Sequence, residues 1–360
     1  MNSSNSQKRR HKSNPGSQQT EPLNAKIEVE PNTHNPDLLW ETLKQLHPVY
    51  RIGWSYAATQ PPDSLRFVCI SDTHAAIESG RIKFANKIPN GDILLHAGDF
   101  TMAGMPCEIT SFNSFMAHLP HRIKVVTAGN HEVTFDEFGG GGTHPTLERL
   151  QLGLPQTASH KEVAQGCKEL LHDVLYLEDE VIEICGIKIY GTPWVPRFGT
   201  SGFSCSRGLP LLEIWDKIPT DTDILLTHSP PLGYGDTTKS DKHVGCAELL
   251  NTVTKRVKPK FHVYGHIHNG YGVFSNGKTT FINASVCNDQ YRPVHEPVVF
   301  DFPLPPGYCR GDFMKLSLET LQEQRLLSGS FMKTRKKETA FNMTKIEKVI
   351  NGIDAQTASD

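Results

Sequence analysis

Five short apolar runs in this chain each pass directly into residues that can ligate a metal, and that repeated arrangement constrains the fold more than any other feature. "LRFVCI" leads into Ser-Asp-Thr-His (Asp72, His74), "DILLHA" into Gly-Asp (Asp99), and "RIKVVTA" into Gly-Asn-His-Glu (Asn130, His131, Glu132). "DILLT" ends on His228, and "FHVY" on Gly-His-Ile-His (His266, His268). These runs, with "VIEICGIKIY" and "TTFINAS", are rich in β-branched and aliphatic residues and alternate with loops and helical stretches from Leu65 to Phe302. That alternation predicts an α/β sandwich with a single core. Ligands of open α/β sheets sit at the carboxyl ends of the strands, so the five runs deliver Asp, His, Asp, Asn, His, His and His toward one spot.

Imidazole nitrogens combined with carboxylate and amide oxygens suit divalent ions such as Mn, Fe or Zn better than a soft thiolate site does. Seven donors exceed the needs of one tetrahedral ion, so two ions sharing a bridging carboxylate are expected. Each motif is commonplace alone: Gly-Asp marks turns, and H-x-H merely puts two side chains on one face of an extended segment. Their recurrence at successive strand ends gives them weight. Isolated histidines such as His160, His172 and His262 are expected to be surface or packing residues.

The ordered set "SDTH", "AGDF", "AGNHE", "LLTHSPP" and "YGHIH" resembles the calcineurin-like metallophosphoesterase superfamily. "GNHEVTFDEF", "IYGTPWVPRF", "THSPPLGYGD", "VGCAELLNTV" and "GHIHNGYG" resemble its metallophosphoesterase domain-containing group, whose members act as phosphodiesterases on cyclic nucleotides and related diesters. The resemblance runs from about Leu65 to Pro303 and implies a four-layer α-β-β-α sandwich with a dinuclear metal site at the strand ends. It implies that Asp72, His74, Asp99 and His268 hold the first ion, Asp99 bridging, and that Asn130, His228 and His266 complete the second. Mn or Fe is favoured, with Zn or Mg as alternatives. Ions roughly 3.5–4 Å apart would polarise a phosphoryl group and activate a bridging hydroxide. His131 falls at the family's catalytic histidine, where it would protonate the leaving alkoxide or bind a non-bridging oxygen. Gly98, Gly129 and Gly265 are expected to turn the backbone beneath the metals through positive φ.

The chain departs from the protein-phosphatase branch in one respect. That branch carries an Asp and an Arg three and four residues after the bridging Asp, where this chain has Met102 and Ala103. The expectation is that His131 lacks its orienting partner and that a dianionic phosphate lacks its arginine clamp. A phosphodiester, with one negative charge, is the better substrate on this reading. A low-turnover nucleotide-binding regulatory or scaffold protein on the same fold is the alternative. Trp194, Arg197 and Phe198, with Tyr234 and Tyr271, could form an aromatic and cationic rim for a nucleobase or could equally anchor loops. "FGGGGT" at 138–143 lacks the lysine and strand-helix setting of a phosphate-cradling loop.

A net charge of -2 gives no general field toward nucleic acid or an anionic membrane, and no DNA-binding module is evident. No apolar run approaches the length of a membrane span, and the N-terminus lacks a signal-peptide core, so a cytoplasmic location is expected. The eight cysteines show no C-x-x-C spacing and are read as reduced packing residues. Residues 1–63 form an N-terminal extension, largely disordered to about residue 35, with a short helix around Leu38, Leu39, Trp40, Leu43 and Leu46. Residues 64–305 form the catalytic domain and 306–360 an appendage. In the appendage "KLSLETLQEQRLL" predicts one amphipathic helix, and the basic cluster Lys333, Arg335, Lys336, Lys337 could meet a protein partner.

Overall fold

A computed structural model of the protein describes residues 27–75, 84–137, 145–199 and 201–327. The basic cluster at 333–337, the "FGGGGT" connection and residues 1–26 lie outside these. In chain order the strands of the N-terminal half are β1 (Tyr50–Ile52), β2 (Ser64–Ile70), β3 (Ile93–Ala97), β4 (Ile123–Thr127), β5 (Leu175–Tyr176), β6 (Glu180–Ile184) and β7 (Ile187–Thr192). A minor pair, β8 (Val195–Pro196) and β9 (Ser204–Cys205), precedes β10 (Ile224–Thr227), β11 (Phe261–Tyr264), β12 (Gly272–Ser275), β13 (Thr280–Asn283) and β14 (Val298–Pro303).

One sheet has the order β14-β2-β3-β4-β5 and the other β1-β12-β13-β11-β10-β7-β6. Strands β2 to β5 run parallel, with β14 antiparallel beside β2, and β13, β11, β10 and β7 run parallel between antiparallel β12 and β6. Parallel strands are covered on both faces, so they read as continuous apolar runs rather than as alternating ones.

Side-chain alternation along these strands defines the layers. Phe67, Cys69, Ile93, Leu95 and Val125 meet Ile187, Ile189, Leu226, Val263 and Ile282 between the two sheets. Their strand neighbours Val68, Ile70, Leu94 and Val126 face outward onto Ile109, Phe112 and Met116 of α2 (Pro106–His118) and Val163 and Cys167 of α4 (His160–Glu169), with α3 (Pro145–Gln151) joining those two helices. On the opposite side Tyr190, Leu225, Tyr264 and Phe281 meet Leu211 and Trp215 of α5 (Leu209–Trp215) and Leu249 and Leu250 of α6 (Ala247–Asn251). The result is the four-layer α-β-β-α sandwich. Each fully buried aliphatic or aromatic side chain contributes about 1.5–3 kcal/mol, so the inter-sheet layer holds the two strand-end clusters in fixed relation.

The N-terminal helix α1 (Pro36–Leu43) starts where Asn35 accepts from Leu38 N, and it sends Leu39 and Trp40 into the outer core beside α5 and α6. Two local expectations change. "VIEICGIKIY" is a hairpin, because Cys185 and Gly186 both take positive φ (49° and 74°) and turn the chain between β6 and β7. The helix expected over "KLSLETLQEQRLL" begins three residues late: a separate α7 (Arg310–Lys315) stops at an extended Leu316, and Ser317 caps α8 (Leu318–Leu327) through its hydroxyl. Phe313 and Leu321 enter the inter-sheet core, and Arg310 forms a two-bond pair with Asp92 at 2.7 and 2.8 Å. Among the described residues no helix is long and apolar enough to cross a membrane. Cys107 and Cys309 are exposed rather than packed.

Candidate metal centre

Strands β2, β3 and β4 of one sheet and β10 and β11 of the other end side by side. The loops that leave them are tied together by main-chain bonds: Asp72 N donates to Gly98 O (3.0 Å), His74 N to Asp99 O (3.0 Å) and Gly265 N to His228 O (3.2 Å). Potential ligand atoms converge there in three groups, each lying within 4.8 Å: Asp72, His74 and His268; His74, Asp99 and His131; Asp99, His228 and His266. Asn130 joins the third group, with its Oδ1 3.1 Å from His228 Nε2. His266 and His268 thus fall in different groups, and Asp99 lies in two.

This geometry fits divalent ions. His74 and His268 bring their Nε2 atoms within 3.2 Å of each other, close enough to hold a proton or a cation between them, and the buried Nδ1 of His74 has no partner. Asp72, His74, Asp99 and His266 all sit at positive φ (55°, 44°, 55° and 69°). Non-glycine residues seldom adopt that region, and such strain collects at functional sites.

Electrostatics point the same way. Burial alone would raise the carboxyl of Asp72, but the hydrogen bond and charge of His268 hold it below the usual carboxylate range. Burial acts similarly on Asp99, and the charge and hydrogen bond of His228 overcome it. His228 itself is pushed up to about 9, because Asp99 outweighs the cost of burying an imidazolium. A cluster of ionised carboxylates buried against imidazoles is prepared for positive charge.

Neighbouring groups fix the orientations of these candidate ligands. His228 Nδ1 donates to Ala97 O at 2.8 Å and His268 Nδ1 to Asn288 O at 3.0 Å. A carbonyl can only accept, so both rings keep Nε2 for the site. Asp72 accepts from His266 N (3.0 Å) and from Ser285 Oγ (2.5 Å). Glu132, unassigned from sequence, is fully buried and accepts from Gly129 N (2.6 Å), Asp99 N (2.9 Å), Thr101 N (2.8 Å) and Thr101 Oγ1 (2.8 Å). It clamps the loop after β3 to the loop after β4.

The reasons expected for the glycines need correction. Positive φ is found at Gly98 (95°) but not at Gly129 or Gly265. At those two positions the requirement is space. A Cβ on Gly129 would lie 2.3 Å from Asp99 Oδ1, and one on Gly265 would lie 2.0 Å from Asp72 Oδ2.

His131 also differs from expectation. Its Nδ1 donates to the Met102 carbonyl at 2.7 Å and its backbone N–H to Asp99 Oδ1 at 2.9 Å, while Nε2 stands 4.0 Å from Asp99 Oδ2. The orienting partner is therefore present, at the expected position but as a main-chain oxygen. Sequence could not reveal it, since every residue supplies a carbonyl.

A cleft of about 250 Å³ opens over the cluster, lined by His74, Asp99, Asn130, His131, His266 and His268 and, farther out, by Ile267, Asn269, Thr238, Asp289, Phe198 and Tyr291. Phe198 is 71% exposed. Tyr291, not singled out from sequence, is 43% exposed and sets its ring edge-on to His74 at 4.7 Å. Trp194 and Arg197 do not line this cleft. Trp194 packs edge-on to Phe203 and donates to Asp179, and the Arg197 backbone pairs with Cys205. Tyr234 is buried against Phe281 with its hydroxyl on Pro48 O, and Tyr271 stacks on His295.

A sandwich that gathers imidazoles and carboxylates from both sheets at one strand-end cleft is built for phosphoryl chemistry with divalent metals. The family described as calcineurin-like phosphoesterase matches residues 65–270, and the chain belongs to that family. It is 45% identical over 294 residues to UPF0046 protein T07D4.2 of Caenorhabditis elegans, covering 79% of this chain and 72% of that one. It is 46% identical over 251 residues to Metallophosphoesterase domain-containing protein 1 of Homo sapiens, covering 69% and 74%. Among solved structures, phosphopantetheinyl hydrolase from Mycobacterium tuberculosis aligns with a TM-score of 0.43 at 15% identity, over 70% of this chain and 99% of that one. The protein is a metal-dependent phosphoesterase.

Proposed function

We propose that the chain hydrolyses phosphodiesters, with 2',3'- or 3',5'-cyclic nucleotides as the substrate class. Asp72, His74, Asp99 and His268 would hold one ion, and Asn130, His228 and His266, sharing Asp99, the second; Mn or Fe suits this nitrogen and oxygen donor set. Bound there, such ions would polarise a phosphoryl oxygen and bring water toward ionisation near neutral pH.

The observation that carries the diester reading is the charge of the cleft. Among the described residues that line it there is no lysine or arginine, and the nearest cation at its edge, Lys239, is paired with Asp289 at 3.8 Å. A phosphomonoester dianion would meet no cationic fork there. A diester carries one charge and depends less on such a fork. Phe198 and Tyr291 offer exposed faces at the rim, which supports a substrate with a planar base. His131 keeps Nδ1–H on the Met102 carbonyl, so only its imidazolium form, protonated on Nε2 as well, would donate to the departing oxygen.

Purified protein loaded with Mn tests this on bis-p-nitrophenyl phosphate and cyclic nucleotides against p-nitrophenyl phosphate and phosphopeptides. Diester turnover that exceeds monoester turnover and disappears in Asp99→Ala is expected. Monoester preference, or stoichiometric nucleotide binding without turnover, would overturn the reading.

A further inference from the structure

His131 is held by a peptide group rather than a side chain, so whatever fixes that peptide fixes the imidazole. The Met102 carbonyl and the Ala103 N–H belong to one planar trans peptide and point in opposite directions. The carbonyl receives His131 Nδ1 at 2.7 Å. The N–H on the other side donates to Glu108 Oε2 at 3.1 Å. The same carboxylate takes Met102 N at 3.0 Å and Met105 N at 2.9 Å.

Glu108 lies in the first turn of α2, where a carboxylate that caps the helix accounts for the bond from Met105 N. Capping does not account for the other two bonds. They reach back over the loop to the residues that aim the Met102 carbonyl at His131. Thr134 Oγ1 secures the far end of the loop by donating to Gly104 O at 2.6 Å.

We propose that Glu108 is a positioning residue for His131, acting through the Met102–Ala103 peptide. Its carboxylate holds one side of the peptide plane and the imidazole hangs from the other, which replaces the direct contact of an acidic side chain with the histidine. The proposal rests on the reading of His131 as the group that serves the leaving oxygen.

The test is a double-mutant cycle on the full-length, metal-loaded protein with bis-p-nitrophenyl phosphate, joining Glu108→Ala and His131→Ala. Misplacing a catalytic group by about 1 Å costs on the order of 10- to 100-fold, so Glu108→Ala is expected to lower kcat by that factor with KM within about 2-fold. In the His131→Ala background it should have no further effect on kcat beyond about 2-fold. Glu108→Asp withdraws by one methylene the oxygen that takes both Ala103 N and Met105 N while leaving an acidic group in the first turn of α2; it should lose kcat while melting closer to the wild type than Glu108→Ala does. Two-bond proton–nitrogen correlations of labelled histidine give a readout independent of turnover. The His131 ring, assigned by its loss in His131→Ala, should be protonated on Nδ1 in the wild type and show a mixture of tautomers in Glu108→Asp.

An equal kcat loss in both backgrounds, or an unchanged His131 tautomer, overturns the role of Glu108 while leaving His131 intact. Wild-type kcat in His131→Ala overturns the reading of His131 itself, and the proposal with it.

Discussion

Gly265→Ala is the smallest change that should dismantle the centre. The added Cβ would stand 2.0 Å from Asp72 Oδ2 and 2.1 Å from Ser71 Oγ, and both residues are fully buried. Carbon and oxygen settle at about 3.3 Å or more, so the carboxylate or the loop must retreat by roughly 1.3 Å. That displacement stretches the 3.0 Å bond from His266 N and the 2.5 Å bond from Ser285 Oγ past hydrogen-bonding range. Bonds to a charged acceptor are worth about 1.5–3 kcal/mol each, so a loss of about 3–6 kcal/mol is expected from one methyl group. Thermal unfolding in chelator isolates this from metal binding, and the drop should be about 5–15 °C for a domain of this size. Gly53→Ala, where nothing lies within 4 Å of the added carbon, is the control and should melt within about 2 °C of the wild type. A Gly265→Ala protein that melts with the wild type in chelator would refute the close approach of loop and carboxylate.

Other outcomes follow from the same geometry. Glu132→Gln leaves at least one of the donors on its carboxylate facing an amide N–H, so chemical denaturation should show a loss of about 1–3 kcal/mol, together with weaker metal retention. Phe198→Ala and Tyr291→Ala should raise KM for cyclic nucleotides by roughly 5- to 100-fold if each stacks on the base, while Trp194→Ala should leave it unchanged in steady-state assays. Asp92 is held below its ordinary 3.8 because the Arg310 pair, the Arg66 N–H and Gln60 outweigh burial. A depressed carboxyl stabilises above its unfolded pKa and loses that contribution as pH falls through the folded value. The stability gap between wild type and Asp92→Asn, measured by urea titration, should therefore be full near pH 7 and shrink below pH 3.8.

The strand-end donors were legible in sequence because each is fixed by an apolar run whose end can be read from composition. Asp72, Asp99 and His228 need only the position where β2, β3 and β10 stop. The division of His266 and His268 between ligand groups was legible only through the family resemblance, since H-x-H by itself puts both on one face; the positive φ of His266 (69°) takes the segment out of extended geometry there. What supports those ligands was not legible. Glu132 acts by accepting main-chain N–H groups from two loops, and the Met102 carbonyl belongs to the backbone, so neither function leaves a pattern in residue types. Tyr291 reaches the cleft through the loop after β13, a return that only the tertiary fold specifies. The rim candidates from "GTPWVPRF" were read as a unit, yet only Phe198 faces the cleft, because β8 pairs with β9 and turns Trp194 onto Phe203. The late start of α8 was hidden because apolar spacing runs back to Leu316, although Ser317 is a cap signal.

A two-ion centre divided between His268 and His266 ties metal stoichiometry to diester turnover, and the two are measured together. Elemental analysis of protein equilibrated with Mn should find about two ions per chain in the wild type, about one in His268→Ala and in His266→Ala, and turnover lost in both. One ion per chain in a fully active wild type, or two ions retained in either variant, would rule out a divided two-ion centre.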